Sequence, residues 1–414
     1  MRRGTGATRT EACLICGGVD RPSVLDLGLS PLANAFPREE DLGTPCATWP
    51  LELLFCQDCG LMQLSVIVAP QVLFSDYIYT SGTSRTIVQH NEALSRMHVR
   101  NLGLTKDDLV VEVASNDGSL LASFQNYGVQ VLGIEPATNL AGVANERGIR
   151  TANLFFGRAV AGEIAEQLGK ASLICANNVL AHVADPVGFL IGCRKLAKRD
   201  GVISVEFPHL MTLLDGLEYD TIYHEHLSYF SMRAIATAFE RAELAIFEVQ
   251  QIPIHGGSLR VMARQGKGHG QAVERLLACE RERGMDDLAT WQRFANSVAR
   301  SKQQLVESLD VLVAKGKTIA GYGAPAKGNT LLNYCGIGPD RIGFTVDRNK
   351  MKVGRFTPGM RIPVKPVQYL LQEQPDVTLI LPWNIATEVR CQEDEYIRAG
   401  GRFMVPLPEL QEIE

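Results

Sequence analysis

Three sets of residues in this 414-residue sequence have types and spacings that could do chemistry. The first is a double pair of thiols, Cys13-x-x-Cys16 and Cys56-x-x-Cys59, each on a tight turn followed by a glycine, Gly17 or Gly60. Four thiolates satisfy tetrahedral zinc and leave no open coordination position, so the expected metal is structural. A redox Cys-x-x-Cys is the alternative, but two such motifs in one small module would be unusual. The second set is Glu112-Val-Ala-Ser-Asn-Asp-Gly118, where an acid, small residues and amides close an apolar run. Small residues there let a ligand approach the backbone closely. The third is Glu218-Tyr-Asp-Thr-Ile-Tyr-His-Glu-His226, the densest polar cluster in the chain. Histidine exchanges a proton near neutral pH, which suits acid–base work. The segment is not His-Glu-x-x-His, which excludes the zinc-protease arrangement. On an extended backbone His224 and His226 share one face, with Tyr223 and Glu225 on the other. A pair of structural histidines fits the same residues.

The elements that must position these groups are readable. Leu109–Val113 is a short apolar run expected as a buried parallel strand, with a helix opening at Ser119. Gln130–Ile134 repeats the pattern and ends in Glu135, an acid placed to accept both hydroxyls of a ribose. Helical sequence runs from about Arg85 to Gly103 and from Leu140 to Arg147. Further strands are expected from Ser172 into an Asn-rich turn and from Asp200 to His209. This alternation predicts a doubly wound α/β sheet. Residues 72–86 are crowded with hydroxyls and suit a loop over a polar ligand, or a linker with a helix cap. Ile254-His-Gly-Gly-Ser-Leu-Arg260 is a glycine-rich turn that could hold an anion or be a hairpin. Residues 272–314 read as one or two helices. A second α/β unit opens at Lys317. Its turn, Gly321-x-Gly323-x-x-Ala326, has the dinucleotide form, and its second strand ends in Asp347. Lys327 beside it suits a phosphate, or is an exposed lysine at a helix start.

Composition bounds the rest. The chain is 46% apolar, with a net charge of −5 and a pI of about 6.0, and carries no nucleic-acid footprint. No apolar run approaches the roughly 20 residues of a membrane span. The start, Met1–Thr10, is basic with no apolar core behind it; the expectation is an unstructured beginning rather than a secretory leader, and a cytoplasmic protein. The remaining cysteines are scattered, which argues for metal and against a disulfide framework. The charge and apolar balance allow a monomer.

An acid at the first position of residues 112–118, and Ala114 and Asn116 where a pyrophosphate site favours glycine, fit a cationic, phosphate-free adenosine ligand. S-adenosylmethionine is such a ligand. Taken in order, the cysteine pairs, Tyr77-Ile-Tyr79-Thr-Ser81-Gly82, Glu112–Gly118, Asn177-Asn-Val-Leu-Ala-His182, Tyr223–His226, His255–Arg260 and Gly321–Lys327 carry a resemblance over nearly the whole chain. The sequence resembles the nucleotide-sugar C-methyltransferases of deoxysugar biosynthesis, the group that contains the tetronitrose C-3 methyltransferase.

The resemblance implies three units. These are a zinc-binding domain (1–70), a Rossmann-like S-adenosylmethionine domain (71–250) and a C-terminal Rossmann-like α/β domain (251–414). It implies a nucleotide-linked keto-sugar as substrate, bound between the last two, and no nucleic-acid or membrane partner. It places Glu112, Ala114, Asn116, Asp117, Gly118, Glu135, Phe155 and Asn177 around the cofactor, with Phe156 as the alternative to Phe155. Tyr79, Ser81, His255, Arg260, Tyr322 and Lys327 fall to the substrate. His226 is the implied base, with Glu225 and Tyr223 orienting it or the substrate, and Tyr77 and His182 near the reacting face. The chemistry implied is removal of a hydrogen made acidic by a sugar ketone, followed by methylation of that carbon. The rivals are an O- or N-methyltransferase, an NAD(P)-dependent oxidoreductase using residues 317–347, and a zinc-anchored scaffold without activity.

Overall fold

A computed structural model describes residues 2–4, 6–74, 82, 85–254 and 256–413. The chain opens with β1 (Arg2–Arg3), β2 (Ala7–Arg9), β3 (Ser23–Ser30), β4 (Ala47–Phe55), β5 (Met62–Leu64) and β6 (Val66–Val68). β3, β4 and β5 form an antiparallel sheet, β1 pairs parallel to β4, and β2 pairs with β6. The start of the chain is therefore ordered where the sequence predicts an unstructured one. β2 is exposed along its length, and main-chain pairing to a neighbouring edge needs no apolar side chains, so composition does not register it.

The second unit is a sheet of seven strands among the described residues. It holds β7 (Leu109–Val113), β8 (Gln130–Ile134), β9 (Thr151–Ala152), β10 (Ala171–Asn177) and β11 (Ala197–Pro208). All five are parallel. β12 (Ser228–Tyr229) leaves this unit and pairs with β5 of the N-terminal sheet, while β13 (Leu244–Ile252) and β14 (Ser258–Gln265) return to it. The order is β13-β14-β11-β10-β7-β8-β9, with β13 and β14 antiparallel. The Ile254–Ser258 stretch is thus the turn of a hairpin, and the sheet runs through Gln265, past the boundary expected at residue 250.

The helices Gln271–Glu282 and Leu288–Ala314 lead to the third unit. Its sheet holds β15 (Ile319–Tyr322), β16 (Phe344–Asp347), β17 (Val364–Pro366), β18 (Val377–Ile380), β19 (Phe403–Val405) and β20 (Gln411–Glu412), in the order β17-β16-β15-β18-β19-β20.

The cores cross these units. Cys13, Cys56, Cys59 and Leu61 pack with Phe230, Met232 and the sheet residues Val205 and Phe207. Leu51, Leu53 and Phe55 of β4 share a second core with Trp291, Phe294, Ile319 and Leu331. Burying large side chains such as these stabilises by roughly 1.5–3 kcal/mol each, so the N-terminal module is held between the other two units.

Candidate functional site

The four cysteines converge. Their sulfurs all lie within 4.8 Å of one another, and the Cys13–Cys59 and Cys16–Cys56 pairs are 3.5 Å apart. Tetrahedral Zn–S bonds of about 2.3 Å set sulfurs about 3.8 Å apart, so the donor set fits zinc. Each pair sits on a tight turn: Gly17 N–H donates to the Cys13 carbonyl and Gly60 N–H to the Cys56 carbonyl. Both glycines hold positive φ, 79° and 74°, which a side chain resists.

The acid-and-small turn lies beyond β7, where a parallel sheet offers its ligand site. Ala114 and Asn116 adopt φ of 57° and 52°, so the left-handed path is kept without glycine there, and Gly118 follows at 76°. Glu135 accepts the N–H groups of Asn116 and Ala137, both at 2.8 Å. Asp117 pairs with Arg147 at 3.2 Å and accepts the N–H of Gly82 at 3.2 Å. Glu112 is buried. Burial pushes its carboxyl well above the usual range, and the charges of Asp117, Glu135 and Glu206 add to this. Burial also raises Glu135, against the two N–H bonds it accepts. Glu112 Oε2, Ser115 Oγ and Asn177 Oδ1 are buried without a hydrogen-bond partner among the described residues. A cluster of carboxylates with orphaned acceptors fits a ligand that brings positive charge and donors, as S-adenosylmethionine does. Phe155 is 46% exposed, whereas Phe156 is spent on Phe189, with ring centroids 5.2 Å apart.

One face of the sheet carries a charged network that the sequence gives no local sign of. Register pairs Asn177 with Glu206 and Glu206 with Arg260. Glu206 receives the Arg260 Nε–H at 2.6 Å and faces His90 Nε2 of the helix Arg85–Leu102 at 2.8 Å. Burial works against this carboxylate, but His90 and Arg260 hold it below its ordinary value. Arg260 also donates to Gln250 at 2.8 Å. Its guanidinium is buried and bonded to Glu206 and Gln250, on a strand where the sequence reading puts it in a turn.

The segment 218–226 is not extended, which corrects the expected facing of its side chains. Tyr219–Thr221 is a 3-10 turn, and His226 N–H closes a further turn on the Tyr223 carbonyl. This brings Tyr223 and His226 onto one side. Tyr223 Oη lies 2.8 Å from His226 Nε2, and His226 Nδ1 lies 3.1 Å from the Thr221 carbonyl oxygen. A carbonyl only accepts, so Nδ1 carries the proton and Nε2 accepts from the tyrosine hydroxyl. His182 meets His226 edge-on at 4.9 Å, and its Nδ1 donates to the Glu225 carbonyl at 2.7 Å. Burial lowers His182 to about 4, against its bonds to the Glu225 and Asn178 backbone, so it stays neutral. Glu225 accepts from Asn34 of the N-terminal module at 2.7 Å, a partner too distant in sequence to foresee. His224 turns away: its Nε2 donates to the Pro50 carbonyl at 3.1 Å and its ring meets Trp49.

The second glycine-rich turn is filled from within. Asp347 accepts the Ala324 N–H at 2.8 Å, and Lys352 donates to the Ala324 carbonyl at 2.8 Å. Phe36 of the N-terminal module packs on buried Ala324 and Val364. The dinucleotide form is present, but its mouth is occupied by protein. Tyr322 is buried, with its hydroxyl on Glu393 at 2.7 Å and near Arg348 at 3.2 Å. Lys327 donates to Asn384 and lies 4.3 Å over the Trp383 ring. Neither side chain is presented to an open phosphate site. Tyr77, Tyr79, Ser81 and His255 lie outside the described residues.

Comparison with known proteins matches the three units. Residues 13–74 match the family described as "Putative zinc binding domain", 88–249 a methyltransferase domain, and 253–408 a C-methyltransferase C-terminal domain. The chain is 40% identical over 402 residues to C-methyltransferase NovU of Streptomyces niveus, covering 96% of each chain. It is 24% identical over 184 residues to a ubiquinone biosynthesis O-methyltransferase of Burkholderia pseudomallei, covering 42% of this chain and 78% of that one. Magnesium protoporphyrin IX methyltransferase from Synechocystis PCC 6803, solved with bound SAM, aligns at 16% identity with a TM-score of 0.33, over 42% of this chain and 78% of that one. A four-thiolate zinc module, a Rossmann-like turn fitted to S-adenosylmethionine, and near-complete coverage at 40% identity converge on one assignment: the chain belongs to the C-methyltransferase family.

Proposed function

We propose that this C-methyltransferase acts on a (d)TDP-linked 4-keto-deoxysugar, methylates a carbon next to the ketone, and uses His226 as the base that forms the enolate. The observation that carries the reading is the fixed tautomer of His226, with Nδ1–H on the Thr221 carbonyl and the Nε2 lone pair turned to a hydroxyl. A ring carbon beside a ketone holds a labile hydrogen. Nε2 takes that proton, and the imidazolium formed keeps its Nδ1–H bond to Thr221. Tyr223, displaced from Nε2 by the substrate, is left as a donor to the enolate oxygen, where such a donor acts most strongly. His182, held neutral, adds no positive charge that would resist protonation of His226. Glu225 is fixed by Asn34 and positions the loop or a sugar hydroxyl.

S-adenosylmethionine, when bound, supplies the electrophilic methyl group. Glu112 and Asn177 would hold its charged portion, Glu135 its ribose and Phe155 its adenine, with Ala114, Asn116, Asp117 and Gly118 shaping the turn. Tyr77 stands with the catalytic group, and Tyr79, Ser81 and His255 with the substrate. Arg260, Tyr322 and Lys327 act through other residues. The units run from the zinc module through the S-adenosylmethionine domain to the C-terminal domain, with the hairpin β13–β14 counted in the second.

The test is solvent exchange. In D2O, with a 4-keto nucleotide sugar and no methyl donor, the enzyme exchanges hydrogen at the carbon beside the ketone. His226→Asn lowers that rate by about 10²–10⁴-fold, the usual contribution of a general base. Methylation at oxygen, or full exchange by the His226→Asn protein, overturns the reading.

A further inference from the structure

The carbonyl that holds His226 belongs to a turn that is itself held from the far side by the C-terminal unit. Asp220, in the middle of the Tyr219–Thr221 turn, is fully buried, and its Oδ2 accepts the indole N–H of Trp383 at 2.8 Å. Lys327 lies over the same indole at 4.3 Å and is tied to Asn384. Burial lowers its ammonium from the usual lysine range, against the charges of Asp220 and Glu218, which favour the charged form. Tyr219, also buried, sets its hydroxyl 3.8 Å from Cys335 Sγ and its ring edge-on to Tyr334 at 5.6 Å. Thr221, next in the chain, is the residue whose carbonyl accepts from His226 Nδ1. The Asp220–Trp383 bond and the Tyr219 contacts thus join the C-terminal unit to the turn, and one peptide unit and one hydrogen bond lead from Asp220 to the imidazole.

Building on the proposed role of His226, we propose that Asp220, Trp383 and Lys327 are positioning residues for the reaction: they fix the Thr221 carbonyl and so keep the proton of His226 on Nδ1. The indole holds the turn in direction, because an N–H bond to a carboxylate is charge-assisted and oriented. Lys327 and the indole N–H both draw the buried Asp220 toward its ionised form, against its burial. Burial pushes Asp220 above its ordinary value while Lys327 pulls it back, and Glu218 beside them is pushed up to about 8. Without the clamp the turn can rotate its carbonyl away. The imidazole then gains nothing by keeping Nδ1–H, and the lone pair no longer stays on the nitrogen that faces the substrate. The lysine expected to bind phosphate therefore serves the base from behind.

The test reads the proton directly. Nitrogen NMR of histidine-labelled full-length, zinc-loaded protein distinguishes Nδ1–H from Nε2–H, and the His226 signal is assigned by its loss in His226→Asn. Wild type shows Nδ1–H at position 226. Trp383→Phe keeps the ring but removes the donor, and Asp220→Ala removes the acceptor; both move His226 toward Nε2–H. Both lower kcat and donor-free exchange about tenfold, the scale of one charge-assisted hydrogen bond, with KM within about twofold. Lys327→Met acts in the same direction. Asp220→Asn keeps an acceptor for the indole and restores Nδ1–H. If Asp220→Ala does not fold, Trp383→Phe and Asp220→Asn decide between them. An unchanged Nδ1–H signal in folded Trp383→Phe overturns the proposal. The failure of the base reading looks different: His226→Asn then exchanges hydrogen normally while the tautomer still follows Trp383.

Discussion

The two Rossmann-like turns of this chain are alike in their place on the sheet and unlike in use. Each follows a parallel strand and opens a helix. Each is capped by the acid that ends the next strand, Glu135 on the Asn116 N–H and Asp347 on the Ala324 N–H. Around the first, three buried acceptors have no partner among the described residues, and Glu112 is surrounded by other carboxylates. Around the second, Lys352 donates to the Ala324 carbonyl and Phe36 packs on Ala324 and Val364. A Rossmann-like turn is therefore a geometry, and its ligand is decided by what its neighbours leave unsatisfied. This difference disfavours the oxidoreductase alternative more strongly than the motif favours it.

Three experiments break or sharpen the contrast. The largest effect is expected from Phe36→Ala. Removing a buried aromatic costs about 3–5 kcal/mol, measured by chemical denaturation, and NADH still does not bind because Asp347 and Lys352 remain. NADH binding by this variant would show that the plug alone separates the two turns.

Next is Glu112→Gln, expected to weaken S-adenosylmethionine about 10–100-fold by calorimetry, the scale of losing one buried charge-assisted contact. The pH dependence carries a sign. The Glu112 carboxyl is raised in the folded protein, so between the ordinary glutamate value and its raised value the folded state holds a proton that the unfolded state has lost. Stability of the ligand-free protein thus falls as pH rises through that window. Binding of a cation releases the proton, so affinity rises with pH over the same range. Glu112→Gln removes its own share of both slopes, while Glu135, Asp220 and Glu218, also raised, keep a remaining fall of stability with pH; wild-type affinity that is flat with pH would place the cationic ligand elsewhere.

The smallest effect is that of Ala114→Gly. It relieves a left-handed alanine worth about 1–2 kcal/mol but frees the unfolded chain by about 0.5–1 kcal/mol, for a net gain of a few tenths to about 1 kcal/mol in denaturant midpoint experiments. A loss of stability would mean that the alanine methyl makes contacts worth more than its strain.

Much of this arrangement is legible in the sequence where it depends on local pattern. The strand Leu109–Val113, the helix from Ser119 and the helix Arg85–Leu102 fall where apolar periodicity puts them. The four cysteines meet because knuckle turns are local and zinc chemistry supplies the rest. What escapes is what depends on distant partners. The side of Tyr223 is misread because a turn, not a strand, carries it to His226. Asn34 on Glu225 and His90 on Glu206 join residues 191 and 116 positions apart, and nothing in either segment announces the other. Lys327 is read as a phosphate ligand from its place after the glycines, whereas its neighbours Trp383 and Asn384 belong to a loop that only the fold brings near.

The strand that follows His226 at once, Ser228–Tyr229, is stitched into the N-terminal sheet against Met62 and Gln63. Anyone recombining related enzymes should therefore treat the metal module and the histidine loop as a single inheritable cassette. A chimaera that swaps the first seventy residues alone would ask one parent's edge to accept the other's strand, and the cost of a poor match would land directly on the loop that carries His226.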